Sequence, residues 1–289
     1  MRDFLWGMLL ILLFFSCSGP KVLETQRDLA LKEENLGNFT QAVELWQKYF
    51  YQQAIEEVEG LDYANAAKTA FRAGRAELAV NWFDQARYKD YSDAEMYLTL
   101  SQIYQKENNI SKELTALEFC IENFNKNSQE INNRLFEVYS EIGENEKALM
   151  IWPNLNKADK SKAVNLNSYF LIQKELKDTT ICDSVSMALL EINPENVEAL
   201  EWNAKKYYWL GENRYQREMS VYDKKKTNRQ YKILLNELDL VTADFKKSLP
   251  YFDKLWKIEP GKKYASYFAN IYARFGDGKK ADYYKKMLK

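Results

Sequence analysis

The stretch "ENLGNFTQAVELW", from Glu34 to Trp46, places a glycine five residues before an alanine and nine residues before a large aromatic residue. The same spacing returns in "AGRAELAVNWF", residues 73–83, and in "EIGENEKALMIW", residues 141–152. Near the C-terminal end, "RFGDGKKADYY", residues 274–284, keeps the glycine and the alanine. A spacing that recurs along a chain indicates an internal repeat, in which every copy needs the same turn and the same close contact.

The period of this repeat follows from its turn residues. The first four are 34 to 37 residues apart, and the later intervals are about twice as long. We therefore predict two further turns, near residues 177–178 and 243–244, and about eight units in total. The visible turn residues are Gly37, Gly74, Asn108, Gly143, Gly211 and Gly276.

Each position of the spacing has a physical reason. Glycine ends the first helix of a unit, because the chain there needs a left-handed conformation that side chains disfavour. The alanine five residues later lies where the second helix crosses the first, and a larger side chain would push the two apart. Small residues stand seven positions before most turns, in the matching place on the first helix, as Ala30, Ala67, Ser101, Ala204 and Ala269.

A period of about 34 residues with two helices per unit resembles the tetratricopeptide repeat. The resemblance covers residues 23–289 and implies an all-α solenoid of about eight helix-turn-helix units, wound into a right-handed superhelix. Pro250 falls in a predicted second helix and would remove a hydrogen bond there unless it stands in a first turn. The charged stretch "YDKKKTNRQYK", residues 222–232, is interpreted as a solvated connection, with a looser junction between two units near residues 222–230.

The N-terminal stretch "MRDFLWGMLLILLFFSCSGPK" is a separate element. An apolar run from Phe4 to Phe15 follows Arg2 and precedes Ser16 and Cys17. The run is short for a membrane-spanning helix and is typical of an export signal. The stretch resembles a bacterial lipoprotein signal.

This second resemblance implies that residues 1–16 are removed, that Cys17 carries lipid, and that residues 17–22 form a tether. It implies a membrane partner through the anchor and a location in the cell envelope of a Gram-negative bacterium, with the outer membrane expected. Ordinary cleaved secretion and an uncleaved anchor are the alternatives. All three export the remainder of the chain.

The amino-acid composition reduces the number of function classes that fit this protein. The 289 residues carry a net charge of -1, which gives no indication of nucleic-acid binding. Histidine is absent, and with it the commonest general base and zinc ligand. The two cysteines after Cys17, Cys120 and Cys182, stand nearly two units apart and are predicted to be small buried residues without a disulfide. We expect no catalytic site, no metal and no cofactor.

A partner-binding surface is expected on the first helices, which line the concave groove in tetratricopeptide proteins. Residues six and two before a turn share one face of a helix, since they are four apart. The resemblance implies that a protein or peptide binds there, and an ordinary solvated face is the alternative. The candidate residues are Lys68, Arg72, Gln102, Lys106, Glu137, Lys205, Tyr208, Trp209, Asn270 and Arg274, with Tyr208 and Trp209 predicted to be exposed.

Three functions stay open at this point. The first is a non-catalytic adaptor lipoprotein that holds partner proteins or peptides at the cell envelope. The second is a component of an outer-membrane protein assembly machinery, which is similar in architecture only. The third is an accessory lipoprotein for glycan or nutrient uptake.

Overall fold

The computed structural model describes residues 25–124 and 128–288, and throughout these ranges the regular elements are helices. Cys17, the expected signal at residues 1–16 and the expected tether at residues 17–22 lie outside the described residues. The described chain forms two compact units, which divide at residues 126 and 127.

The first unit contains three antiparallel helical hairpins. A short 3-10 turn, Ile55–Glu57, follows the first hairpin. The helices are α1 (Gln26–Asn35), α2 (Phe39–Gln52), α3 (Gly60–Arg72), α4 (Ala76–Tyr88), α5 (Ala94–Lys106) and α6 (Ile110–Asn123).

The second unit contains four further hairpins, formed by α7 with α8, α10 with α11, α12 with α13, and α14 with α15. A 3-10 turn, Trp152–Asn154, and the short α9 join the first of these hairpins to the second. The helices are α7 (Gln129–Ile142), α8 (Asn145–Ile151), α9 (Lys157–Lys160), α10 (Ala163–Glu175), α11 (Thr179–Ile192), α12 (Val197–Lys224), α13 (Asn228–Ile258), α14 (Lys262–Arg274) and α15 (Gly278–Lys286).

The turn chemistry predicted from the sequence is confirmed at six positions. Gly37, Gly74, Gly143 and Gly276 all have φ between 76° and 78°, in the left-handed region. Asn108 takes the same role at φ 55°, since asparagine tolerates this region better than most residues. The turn inferred near residues 177–178 is present, with Lys177 at φ 60°.

The small residues lie at the helix crossings, as predicted. Ala42, Ala79 and Ala148 are fully buried, each on the second helix of its hairpin. The first and last residues of the stretch from Glu34 to Trp46 are in direct contact. The indole Nε1 of Trp46 donates a hydrogen bond of 2.6 Å to the carboxylate of Glu34. The predicted all-α fold of tetratricopeptide-type helical hairpins is thereby confirmed.

The cysteine prediction is also confirmed. Cys120 and Cys182 are free thiols with no exposed surface. Cys182 occupies the crossing position that alanine fills in other hairpins. Burial raises the pKa of both thiols, which therefore stay protonated and pack as small apolar groups.

Two predicted turns are wrong. Gly211 lies inside α12, and residues 243–244 lie inside α13, so two expected units are replaced by one long hairpin. The described ranges hold seven hairpins instead of about eight. A Cβ atom at Gly211 would lie 3.3 Å from two ring carbons of Phe245, so this glycine permits close helix packing instead of a turn.

The long hairpin follows a different period from the rest of the chain. One row of buried residues on α13 recurs at intervals of four, three, four and three from Val241 to Leu255, and Leu234 stands seven residues before Val241. This is the 3.5-residue repeat of coiled coils, and Asp244, which is also buried, falls outside it. The corresponding contact line of α12 contains Ala204, Tyr208 and Gly211. We call these two facing rows the seam. On α13 the fully or nearly fully buried members are Leu234, Val241, Phe245, Ser248, Phe252 and Leu255.

The long hairpin decides the position of Pro250 and corrects one further expectation. Pro250 stands in the interior of α13, on its exposed side, where water can satisfy the carbonyl that lacks a helical donor. The segment expected as a junction between units, near residues 222–230, is instead the end of one hairpin. Only residues 225–227 there are non-helical.

We predict that Gly211→Leu lowers the free energy of unfolding by about 1–3 kcal/mol, although leucine has the better helix propensity, because the new side chain overpacks the seam at Phe245. Denaturant unfolding followed by circular dichroism measures the change. Ala243→Leu, at an exposed position of α13, is the matched control and should have little effect. Equal, small effects of both substitutions would contradict the packing role of Gly211.

Candidate functional site

The candidate residues fall into three separate places. One group lies in the first unit, on α3 and α5, one residue lies on α7, and the remainder lie on α12 and α14. In order, these sets are Lys68, Arg72, Gln102 and Lys106; then Glu137; then Lys205, Tyr208, Trp209, Asn270 and Arg274.

In the first unit the basic candidates tie α3 to the N-terminal end of α5. The ammonium of Lys68, 13% exposed, donates hydrogen bonds of 2.9 Å to Asp93 and 2.8 Å to Glu95. Burial acts to lower the pKa of Lys68, but these hydrogen bonds outweigh it and raise the pKa overall. Arg72 lies 3.5 Å from Glu95 and 5.8 Å from the ring centre of Phe39. These cations are largely engaged within the fold.

The two candidates on α5 differ in exposure. Gln102 is half-buried, whereas Lys106 is exposed. The ammonium of Lys106 lies 4.7 Å from the ring centre of Phe71, a cation–π contact to the preceding hairpin. The two tryptophans described in the first unit, Trp46 and Trp82, are buried, so the aromatic groups beside these cations are the rings of Phe39 and Phe71.

Glu137 lines a polar cavity of about 350 Å³ between α7 and α10. Its carboxylate accepts hydrogen bonds from Asn133 and Arg134. Asn165, 1% exposed, lines the same cavity and donates from Nδ2 to Asn133 and to the Asp159 carbonyl. The Oδ1 atom of Asn165 receives no hydrogen bond from the described residues, and a buried carbonyl left in this state costs free energy. A ligand N–H group could satisfy it.

A second cavity, of about 330 Å³, lies on α10 and α12 and contains two candidate residues, Lys205 and Trp209. The indole of Trp209 is 49% exposed. Trp202, on the same helix, is held by a hydrogen bond of 2.8 Å from its Nε1 to Asp183. The full lining is Lys174, Glu201, Trp202, Lys205, Lys206 and Trp209. We call it the tryptophan cavity.

The three lysines of the tryptophan cavity each form one ion pair. The pairs join Lys174 to Glu198, Lys205 to Glu201 and Lys206 to Asp183, at 2.6–2.7 Å. More than a third of each lysine side chain stays exposed. The carboxylates paired with Lys174 and Lys206 are 44% and 37% exposed, so an incoming carboxylate can compete for these two ammonium groups at small cost. The carboxylate paired with Lys205 is only 12% exposed, and that pair is part of the fold.

Tyr208 requires a correction, since the sequence predicted an exposed aromatic residue. It is 6% exposed and lies on the seam, with its ring against Phe245 and Tyr267. Its hydroxyl accepts a hydrogen bond of 2.7 Å from Asn270. The 3.5-residue period of the long hairpin turns Tyr208 inward and leaves its neighbour Trp209 on the surface.

The candidates on α14 are engaged with α12. Asn270 donates to Tyr208, as described above. Arg274 donates hydrogen bonds of 2.9 and 3.3 Å to Glu212, and its guanidinium lies 3.6 Å from the ring centre of Tyr215. Burial acts to raise the pKa of Glu212, but the hydrogen bonds from Arg274 and Gln216 lower it overall. Asn270 and Arg274 therefore join neighbouring hairpins. The sequence predicted that both would be exposed in the groove, but neither is exposed.

Glu201 connects the tryptophan cavity to the last hairpin. Its carboxylate accepts hydrogen bonds of 2.7 Å from Lys205 and 2.6 Å from the hydroxyl of Tyr264, and it also pairs with Lys263. Burial alone would raise the pKa of Glu201, but the three partners lower it to about 2. Burial raises the pKa of the Tyr264 hydroxyl, and its hydrogen bond to Glu201 raises this pKa further, to about 12. This network fixes one wall of the cavity.

Four residues of the tryptophan cavity were absent from the candidate set: Lys174, Glu201, Trp202 and Lys206. The stretch "EWNAKKYYW" carried a usable signal, because Trp202, Lys206 and Trp209 recur at intervals of four and three and so share one helical face. Lys174 comes from α10, and no local pattern indicates that it lies beside α12.

In residues 25–124 and 128–288 no group of three or more histidine, cysteine, aspartate and glutamate side chains is placed to hold a metal ion. Within the same part of the chain, none of the helices combines the length and the apolar character needed to span a membrane.

Comparison with known proteins gives similarity at the level of the fold. No family profile and no curated protein matches the sequence. Among solved structures, YrrB, described as a TPR protein with an unusual peptide-binding site, is 15% identical over 63% of this chain and 90% of its own, with a TM-score of 0.49.

Two further structures align over most of their length. The C-terminal part of a TPR repeat-containing protein from Cytophaga hutchinsonii is 15% identical over 91% of this chain and 93% of its own, with a TM-score of 0.45. A tetratricopeptide repeat protein from Parabacteroides merdae is 11% identical over 91% of each chain, with a TM-score of 0.46. All three scores lie below 0.5, so the fold assignment given above depends on the chain's own hairpins.

We predict that the free energy of unfolding falls as the pH is lowered from 4.5 towards about 2, because Glu201 takes up a proton in the unfolded chain before it does so in the folded one. Glu201→Gln should be less stable than the wild type at neutral pH and should lose less stability across that pH range. Urea unfolding at several pH values measures both effects. Glu146→Gln, at an exposed position of α8, is the control, and a pH dependence equally reduced in both variants would contradict the role of Glu201.

Proposed function

We propose that this protein is a non-catalytic scaffold that binds a peptide segment of a partner protein, with the tryptophan cavity as the anchoring site. The observation that carries the proposal is the half-exposed indole of Trp209 in a cavity of about 330 Å³, bordered by Trp202 and three lysines. Aromatic residues of this kind dominate protein interfaces energetically when a partner covers them.

The chemistry of the cavity specifies the segment. Trp202 and Trp209 offer apolar surface to an aromatic or aliphatic side chain. Lys174, Lys205 and Lys206 surround it with ammonium groups, and the ion pairs of Lys174 and Lys206 are exposed and exchangeable. The favoured ligand is a peptide with an apolar residue flanked by aspartate or glutamate.

Hydrogen bonds and ion pairs also hold the walls of the tryptophan cavity in place. Trp202 is fixed by Asp183, and Glu201 is fixed by Tyr264 and by lysines on two helices. Tyr208 packs beneath Trp209, with ring centroids 5.0 Å apart and nearly perpendicular planes. Preorganised walls reduce the entropy lost when a ligand binds.

We also propose that the scaffold is an envelope lipoprotein anchored through Cys17, with the outer membrane of a Gram-negative bacterium as its location. The support is the order of the N-terminal residues: a cation, an apolar run and then a small residue before Cys17. Roles in outer-membrane protein assembly or in nutrient uptake are narrower versions of this proposal, and the partner's identity distinguishes them.

For the binding site, we predict that peptides selected by display against the full chain carry an apolar residue beside acidic ones. Trp209→Ala should weaken the binding of a selected peptide by about thirtyfold or more, the loss typical of an interface anchor. Lys205→Gln with Lys206→Gln should mainly reduce the association rate and its salt dependence. Calorimetry and stopped-flow fluorescence measure these effects.

Tyr283→Ala is the matched control, because it removes an exposed aromatic residue of the same unit at another place, on α15. It should leave peptide affinity unchanged. Normal affinity of Trp209→Ala for peptides that the wild type binds would overturn the proposed site.

For the anchor, we predict that the membrane form of the protein begins at Cys17 and carries added acyl mass, as measured by intact mass spectrometry. Cys17→Ala should remove the acyl mass and block the processing. A membrane form that begins at Met1 without added mass would refute the anchor and leave the peptide-binding proposal standing.

A further inference from the structure

The far end of the long hairpin is distinct from the rest of the second unit. Helices α12 and α13 have 28 and 31 residues, whereas the other described helices have at most 14. The core cluster of this region includes Tyr215 and Val241 but no residue between them in sequence. We call residues 217–240 the hairpin end. At a rise of about 1.5 Å per residue, α12 continues roughly 14 Å past Tyr215.

The two helices pack on each other in the hairpin end. The rings of Tyr222 and Tyr231 lie 5.9 Å apart, and the guanidinium of Arg217 lies 4.0 Å from Glu237. Nearly all residues from 221 to 233 are exposed. The end is therefore a paired-helix projection with its connecting residues, 225–227, at the extremity.

Positive charge is concentrated near the extremity of the hairpin end. Residues 217–232 hold six cations and two carboxylates, and residues 233–240 add two more carboxylates, in a chain whose net charge is -1. Arg217 pairs with Glu218 and Lys226 with Asp223. The other cations form no ion pair with the described residues, and all of them are exposed: Lys224, Lys225, Arg229 and Lys232.

Exposed apolar side chains adjoin these cations. Val221 on α12 and Tyr231 and Ile233 on α13 are 40% to 47% exposed. Tyrosine and aliphatic groups beside lysine and arginine are the combination found where proteins meet the headgroup region of a membrane. The end of a two-helix hairpin is convex, so it cannot enclose a ligand side chain, but it can lie against a flat surface.

We propose that the hairpin end binds the anionic headgroups of a lipid membrane. Positive charge complements the negative surface potential, and each lysine or arginine near such a surface adds to the attraction. Val221, Tyr231 and Ile233 enter the headgroup layer beside the cations. This contact is independent of the tryptophan cavity and of an anchor at Cys17, and it is a second point of attachment of different chemistry.

The test places a photo-crosslinking residue, p-benzoylphenylalanine, at Asn228, which is exposed in the hairpin end and is not one of the cations. The full chain is reconstituted with vesicles of phosphatidylglycerol mixed with phosphatidylcholine, or of phosphatidylcholine alone. After irradiation, mass spectrometry measures the lipid adducts at this position. We expect adducts with the anionic vesicles, at least about tenfold more abundant than with neutral ones.

Lys224→Gln with Lys225→Gln and Arg229→Gln should remove most of this excess, while circular dichroism confirms that the variant is folded. The matched control neutralises three exposed lysines of α15, Lys279, Lys280 and Lys285, and should keep the excess. Equal adducts with both vesicle types, or an excess that survives neutralisation of the hairpin end, would overturn the proposal. Crosslinking to added polyglutamate without crosslinking to anionic vesicles would assign the surface to an acidic protein instead.

Discussion

The close crossing of two helices at a small residue is the contact on which this protein depends. Ala42, Ala79 and Ala148 are fully buried on the second helices of their hairpins, where a larger side chain would push the two helices apart. This close packing brings the larger residues around each alanine into contact. In the first hairpin, Trp46 on α2 donates a hydrogen bond to Glu34 on α1. Gly211 extends the same principle to the long hairpin, because a Cβ atom there would lie 3.3 Å from the ring of Phe245 on the facing helix.

The long hairpin decides the character of the candidate site. Its seam follows a 3.5-residue period, so consecutive residues of α12 face in different directions. Tyr208 is buried and fills space in the core, whereas Trp209 lies at the surface between lysines. Tyr208 thus packs against Trp209 from the core side, and Trp209 stays accessible to the proposed ligand.

Charged groups in this chain divide into two populations. Lys68, Arg274 and Glu201 are enclosed by partners from neighbouring helices and serve to join hairpins. Lys224, Lys225, Arg229 and Lys232 of the hairpin end form no ion pair with the described residues, and Lys174 and Lys206 of the tryptophan cavity pair with exposed carboxylates. Enclosed charges are committed to the fold, whereas exposed ones can exchange partners, and the proposed binding surfaces use the second population.

The sequence by itself determined the repeat, its all-α class and six of its turns, because a left-handed glycine and an alanine at a fixed distance leave few alternatives to a helical hairpin. It also placed Trp209 and Lys205, which line the tryptophan cavity, among the candidate residues. Tertiary structure alone decided that Gly211 packs instead of turning, that Tyr208 is buried, and that Lys174 joins the cavity from another helix. The reason is that a glycine fits a turn and a close helix contact equally well, so its role depends on whether a residue distant in sequence, here Phe245, lies against it.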